Sequence, residues 1–516
     1  MESTNIGEES TKAALGWHNM ASIETTLSGP GRIVANFKAK CRIAVQSFHR
    51  EVGVVFVSVF LLLLVVGISM QSIDGSFFLK NGIKPPPLQP INLTCPSNKM
   101  VKSICSATPL FSPPSSRLYP SPSCPEYFRH IYEDLRPWIA TGITRATAKK
   151  AQKLASFRVV VVDGRAYVER YKSCFQTRKM FTLWGIVQLL NRYPGRLPDV
   201  EMMFSCDDKT VVKSADYPSS SPPPVFHYCK DETTLDILFP DWSFWGWVEV
   251  NVKPWELSLK ELKEGNERIK WRDREPYAYW KGNPLVARIR KALFKCNLNN
   301  NGSDWNARLF KQDWEAETRN GFRESNLADQ CVYRYKIYVE GISWSVSQKY
   351  ILACNSPTLL VTTPFQEFWA RGLMPGRHYW PINRDHICKS INFAVDWGNA
   401  HQEEAQEIGR KGSSFLQKEV SMNYVYDYML HLLKEYAKLL KYKPTIPEKA
   451  TELCLESMAC QANSLRKSFM VDSMVRFVSD SEPCAMPPPF DRKELEEISQ
   501  QKDKFMKQVE LWEQGG

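Results

Sequence analysis

Residues 52–73 read VGVVFVSVFLLLLVVGISMQSI, a run without a single charge. A helix crosses a hydrocarbon core of roughly 30 Å with about 20 apolar residues, so this run is long enough to span a bilayer. It has no polar face, which argues against an amphipathic helix packed on a core. A cleaved signal peptide would carry a shorter apolar core much nearer the first residue. The segment is therefore expected to be a single transmembrane helix, with one large polar domain behind it.

Charge around the span sets its expected orientation. Lys38, Lys40, Arg42 and Arg50 precede it closely, whereas Lys80 and Lys84 follow and are offset by Asp74. A positive excess on the N-terminal side favours a cytosolic tail and a luminal C-terminal domain. Glycosylation sequons begin at Asn92 and Asn301, both on the luminal side. Of 14 cysteines only Cys41 precedes the span. The other 13 face a compartment in which disulfides persist, and an odd number leaves at least one thiol unpaired within the chain. The chain ends in Gly515-Gly516 with no retrieval tail of the KDEL kind. The expectation is a single-pass type II protein of the Golgi membrane rather than of the ER.

The layout expected is a cytosolic tail over 1–51, the membrane helix over 52–73, and a Pro/Ser-rich stem over 74–125. Beyond them come a first lobe over 126–250, a second lobe over 251–480 and a C-terminal helical segment over 481–516. Nearly 400 residues beyond the stem exceed what one core usually supports, hence two lobes. Cys95, Cys105 and Cys124 lie in or beside the stem and read as structural staples. Phe157 to Val162 and Arg165 to Val168 flank Asp163-Gly164, a hairpin signal. Residues 176–192 look helical, Val200 to Phe204 form an apolar strand, and later strands surround a helical stretch from Ser345 to Cys354. Strand–helix alternation argues for open α/β sheets. Helices are also expected over 424–440 and 492–512. The net charge of +11 suits an anionic ligand. No zinc-finger, helix-turn-helix or Arg-rich block points to nucleic acid. Most of the 16 Trp read as core.

Three places carry candidate chemistry. Asp207 and Asp208 follow an apolar strand, where open α/β sheets bind ligands and where Asp also serves as an ordinary cap. YAYWKGNPLVARIRKALFKC at 277–296 runs from strand through a Gly-Asn-Pro turn into a basic helix. Lys281, Gly282 and the helix start suit an anion, with Arg288 and Arg290 further along. VEGISWSVSQKY at 339–350 repeats the design, with Gly341, then Ser343, Ser345, Ser347 and Lys349 as phosphate-binding candidates. There is no GxSxG elbow, HExxH motif or Cys/His zinc spacing. No carboxylate pair has the setting of a retaining glycosidase. Asp480-Ser481-Glu482 falls in a late Pro-rich stretch, away from any early strand.

Six motifs in order resemble one family: FSCDD at 204–208, PVFHYCKDETTLDILFPDWSFWGW at 224–247, YWKGNP at 279–284, RKALFKCN at 290–297, YRYKIYVEGISWSVSQKY at 333–350 and LMPGRHYWPI at 373–382. They resemble the Rumi-type protein O-glucosyltransferases and the capsule-associated xylosyltransferases, glycosyltransferase family 90, and look closest to its plant branch. The resemblance runs from about residue 125 to about residue 445. It implies a GT-B architecture, two Rossmann-like lobes with a cleft between them. It implies inverting transfer of glucose or xylose from UDP-glucose or UDP-xylose to a hydroxyl of a glycan or glycoprotein, a cell-wall glycan being favoured. Asp208 takes the place of the catalytic base, and no metal is obligatory. Lys281-Gly282-Asn283 stands where Rumi-type enzymes have Arg-Gly-Ser, and Arg290 matches an Arg associated with the nucleotide diphosphate. Glu340-Gly341 and Ser347 replace Phe-Arg-Gly and a downstream Arg, and Thr210 replaces a common Pro. Those departures leave a second reading, a catalytically inactive Golgi scaffold or glycan-binding protein.

Overall fold

The computed structural model describes residues 90–95, 105, 121–218, 221–297 and 304–515. The expected tail, membrane helix, most of the stem and Asn301 lie outside the described residues. Within them, no helix is long and apolar enough to cross a membrane.

Eleven strands are present among the described residues: β1 Phe157–Val162, β2 Arg165–Arg170, β3 Val200–Phe204, β4 Phe226–His227, β5 Ile237–Leu238, β6 Glu275–Gly282, β7 Ala307–Lys311, β8 Tyr333–Tyr338, β9 Thr358–Val361, β10 Trp380–Ile382 and β11 Thr451–Leu453. They form two sheets, in the orders β11-β2-β1-β3-β4-β5 and β10-β9-β8-β6-β7.

The first sheet departs from the expectation of a Rossmann-like lobe. β1 pairs antiparallel with both β2 and β3, and only β3, β4 and β5 run parallel. The cause is local. Asp163 and Gly164 both have positive φ, 51° and 72°. A two-residue turn of that hand can only join antiparallel neighbours. The helix Arg178–Arg192 packs its apolar face on this sheet through Phe181, Trp184, Ile186 and Leu189.

The second sheet is wholly parallel. Counted from its own first strand its order is 2-1-3-4-5, a doubly wound arrangement. Ala278, Trp280, Tyr335, Ile337 and Leu359 share one core with Ile391 and Val395 of the helix Ile387–Ala400. The chain order reverses between β6 and β8. Ligands of such sheets bind beyond the strand C-termini at that reversal, here at Lys281-Gly282-Asn283 and at Glu340-Gly341.

The chain then returns to the first lobe. β11 pairs antiparallel with β2. Cys95–Cys460, Cys105–Cys454 and Cys124–Cys484 fasten the stem end to this returning segment. β11 and the stretch up to Cys484 thus belong with the first lobe, whereas sequence order places 451–480 in the second lobe and 481–484 in the C-terminal segment. Three further disulfides, Cys174–Cys206, Cys296–Cys388 and Cys331–Cys354, leave buried Cys229 as the one free thiol among the described residues.

Candidate functional site

A cavity of about 550 Å³ opens at the reversal point of the second sheet and is lined by residues of both lobes. Its volume is within the range of small-molecule sites. Asp208, Lys281, Gly282, Asn283, Arg290, Gly341, Ser345 and Ser347 all line it. Residues 139 apart in sequence, Asp208 and Ser347, therefore face one space. Ser343 and Lys349 are not on its wall.

Asp208 lies four residues beyond the end of β3, in a loop held at many points. Ser205 donates its amide to the Phe226 carbonyl at 3.0 Å, and Cys206 is bonded to Cys174. The amides of Val211 and Val212 donate to the two Asp236 carboxylate oxygens at 3.1 and 3.0 Å. The Asp208 side chain remains 37% exposed. Its Oδ1 lies 2.9 Å from Arg178 Nη1, and the same nitrogen donates to the Cys206 carbonyl at 3.2 Å. The Arg178 guanidinium lies 4.6 Å from the Trp242 ring centre. Sequence reasoning passed over Arg178. One signal was available: a basic residue opens the helix Arg178–Arg192, and no acidic residue sits in its first turn. A cation there opposes the helix dipole unless a carboxylate meets it.

Arg290 is the principal cation of the second lobe's wall. Nε donates to the Glu340 carbonyl at 2.8 Å and Nη2 to Ser345 Oγ at 3.2 Å. Ser345 Oγ in turn bonds Ser347 Oγ at 2.9 Å. Arg290 has no ion pair among the described residues, and burial pushes its pKa down. Glu340 is spent on Arg384 at 3.0 Å and on Thr363. A Cβ on Gly341 would lie 3.1 Å from the Trp344 carbonyl and 3.7 Å from Arg290 Nη2, so glycine leaves space beside the cation.

Lys281 lines the cavity but is already engaged. Its Nζ is 3.7 Å from Glu317 Oε1 and donates to the Glu324 carbonyl. Lys349 is a clear departure from expectation. It has no exposed side-chain surface, lies 3.4 Å from Asp241 Oδ2 and donates to Ser243 Oγ at 2.6 Å. The helix Ser347–Leu352 turns position 349 inward, away from the serines at its start. Glu367, beside this pair, is pushed well above the usual carboxylate range by burial and by Asp241. Ser343 is also turned inward, donating its hydroxyl to the Asp208 carbonyl. It ties the second lobe's glycine loop to the main chain at Asp208. Arg288 is exposed. The helices after the two glycines, Arg288–Phe294 and Ser347–Leu352, are short, so the dipole effect expected there is small and the Arg290 charge dominates.

The inner end of the cavity holds a buried lysine without a carboxylate partner among the described residues. Lys336 Nζ donates to the Gln330 carbonyl at 2.9 Å and lies 4.1 Å from the Tyr279 ring centre. Burial and Arg274 hold its pKa well below the usual lysine value. Gln312 Nε2, also buried at this cavity, has no hydrogen-bond partner. Among the described residues, one His/Cys/Asp/Glu cluster brings its ligand atoms together elsewhere, Cys124, His431 and Cys484, but both thiols are spent in a disulfide.

Comparison with known proteins agrees with this geometry. The model of glycosyl transferase family 90 matches residues 119–513. Protein O-glucosyltransferase 1 of Homo sapiens is 25% identical over 341 residues, covering 63% of this chain and 83% of the relative. O-glucosyltransferase rumi of Drosophila melanogaster is 25% identical over 362 residues, covering 67% and 85%. The rumi homolog of Aedes aegypti is 25% identical over 325 residues, covering 60% and 77%. A parallel sheet with a cavity at its reversal point, an unpaired arginine there, and a match over most of the chain lead to one assignment: this protein is a member of glycosyl transferase family 90, a glycosyltransferase.

Proposed function

We propose that the chain transfers glucose or xylose from a UDP-sugar to a hydroxyl with inversion at the anomeric carbon, in a GT-B arrangement. Arg290 carries the reading. It is a cavity-wall cation that carbonyl and hydroxyl oxygens hold in place, with no carboxylate to neutralise it among the described residues. A diphosphate supplies the missing charge, with the hydroxyls of Ser345 and Ser347, the backbone at Gly341 and the Gly282-Asn283 turn beside it. Lys281 joins by exchanging Glu317 for phosphate. Ser343 and Lys349 act in support, one on the Asp208 loop and the other beneath the serines. The flat inner end, with the Tyr279 ring and Gln312 Nε2, suits a pyrimidine.

Asp208 is the base in this reading. It takes the acceptor proton as that oxygen bonds to the anomeric carbon, and the bond from that carbon to the diphosphate oxygen breaks. A positioned base contributes about 10²–10⁴-fold. With cationic and hydroxyl groups meeting the leaving charge, the proposal requires no metal. The luminal orientation, the Golgi membrane anchor over 52–73 and glycosylation at Asn92 and Asn301 belong to the same reading. Six disulfides and the exposed position of Asn92 support it. The test is a thermal-shift titration of the full-length protein in detergent against UDP, GDP and their sugars, with and without EDTA. Stabilisation by UDP-sugars that survives EDTA is expected. A response to GDP alone, or one abolished by EDTA, would refute the donor or the metal-independent mechanism respectively.

A further inference from the structure

The cavity has another wall, on the first lobe, that an anionic donor does not use. Phe175, Gln176, Trp247 and Glu249 line it beside Arg178 and Asp208. Thr177 Oγ1 donates to Glu249 Oε2 at 2.6 Å and fixes that half-buried carboxylate. Glu249 has no ion pair among the described residues. Trp247 Nε1 donates to Gln176 Oε1 at 2.7 Å, and the indole stands edge-on to Trp242 at 5.2 Å. Gln176 has a φ of 50°, which few non-glycine residues adopt. The Cys174–Cys206 disulfide binds this turn to the loop that carries Asp208. Arg178 links the parts, 5.1 Å from the Phe175 ring, 6.0 Å from that of Trp247 and 2.9 Å from Asp208 Oδ1.

A half-buried carboxylate without a cation has lone pairs to fill, and neutral donors fill them without neutralising the charge. Vicinal sugar hydroxyls supply two such donors at the right spacing. The C–H face of a pyranose is apolar and lies flat on an indole or phenyl ring. Phe175 is 60% exposed, so its face is available. A serine or threonine of a polypeptide brings one hydroxyl and leaves both the rest of the carboxylate and the rings unmet. Glu249 also repels a diphosphate, which separates this wall from the donor end.

We propose that this wall is the acceptor subsite and that it takes a pyranose ring, so that the acceptor is a glycan. Neighbouring hydroxyls bond Glu249, a ring face lies on Trp247 or Phe175, and the reacting hydroxyl gives its proton to Asp208 as its oxygen displaces UDP. The proposal rests on the reading of Asp208 and the donor end given above, and its test separates the two. The full-length protein in detergent is titrated calorimetrically with xylohexaose, cellohexaose and mannohexaose, with and without UDP, alongside Glu249→Gln and Trp247→Phe. One hexaose is expected to bind. Glu249→Gln should weaken it roughly 10-fold or more, the loss expected for a bond to a charged group, and Trp247→Phe should weaken it by a smaller measurable factor because a ring face remains, while UDP affinity stays within about twofold in both. A chain that binds UDP but none of the three glycans overturns the proposal. So do variants that bind glycan as the wild type does, or equal sugar transfer by wild type and Glu249→Gln to a folded, unglycosylated polypeptide. Glycan binding lost in the variants but with no UDP binding anywhere upholds the wall and refutes the donor assignment.

Discussion

Replacing Arg178 with Met separates the role of the candidate base from the stability of its surroundings. The guanidinium is almost fully buried and makes two polar contacts, to Asp208 Oδ1 at 2.9 Å and to the Cys206 carbonyl at 3.2 Å. A hydrogen bond to a charged group contributes about 1.5–3 kcal/mol. Because Asp208 is more than a third exposed, solvent screening lowers the pair to about 1 kcal/mol or less. The stack on Trp242 adds about 0.5–2 kcal/mol. Against these, Arg178 Nε is buried without a partner, and Met removes that cost of about 1–3 kcal/mol while keeping the packing. The terms nearly cancel, so the stability change should stay within about 2 kcal/mol. The effect on turnover does not cancel. Freed from Arg178, the carboxylate swings, and a displacement of about 1 Å costs roughly 10²-fold. UDP release at saturating donor and acceptor, read beside thermal unfolding, measures both. Since Arg178 acts through Asp208, the Arg178→Met/Asp208→Asn double variant should be no slower than Asp208→Asn alone. Effects that multiply, or full activity of Arg178→Met, would refute the reasoning.

Arg290→Gln should weaken UDP binding by about 10–100-fold by calorimetry, because it removes a charged donor. Lys349→Met should leave UDP affinity nearly unchanged yet cost about 3–5 kcal/mol of stability, since it strands Asp241 beside Glu367. Ser343→Ala removes the hydroxyl that ties the glycine loop to Asp208. It should lower kcat by about 10-fold with the UDP dissociation constant unchanged, and a parallel loss of both would contradict that role. Burial, aided by Arg377, Lys411 and Lys502, lowers the His378 pKa from 6.5 to about 4. The unfolded chain therefore takes up this proton first. The stability is complete above about pH 6.5 and drains by up to about 3 kcal/mol as pH falls towards 4. Unfolding midpoints of His378→Gln should show a flatter slope across that window.

Much of the site was readable because local rules govern it. Asp163-Gly164 dictated the hairpin, and the strand–glycine–helix pattern, repeated at 282 and 341, marked the two strand ends that flank the reversal point. The odd cysteine count anticipated the lone thiol at Cys229. What escaped depends on distant partners. Lys349 looked like a phosphate ligand until the turn of its helix placed it against Asp241, 108 residues away. Arg178 and Glu249 acquire meaning only when Asp208 and Thr177, distant in sequence within the same lobe, fold beside them. The return of β11 to β2 joins segments almost 300 residues apart, which no short-range periodicity encodes.

The fastening of the stem end has a mechanical consequence. Cys95 and Cys105 are bonded to Cys460 and Cys454, and Cys124 to Cys484. Tension applied from the amino-terminal side passes through covalent bonds into the returning segment. It does not peel β2 or β1 from the sheet one hydrogen bond at a time. The C-terminal helix Arg492–Gly515 then crosses back to the second lobe, where Val509 joins the core of the second sheet and Trp512 stacks on Trp380 and Trp397. A pull from the amino-terminal side therefore enters the first lobe through its returning segment.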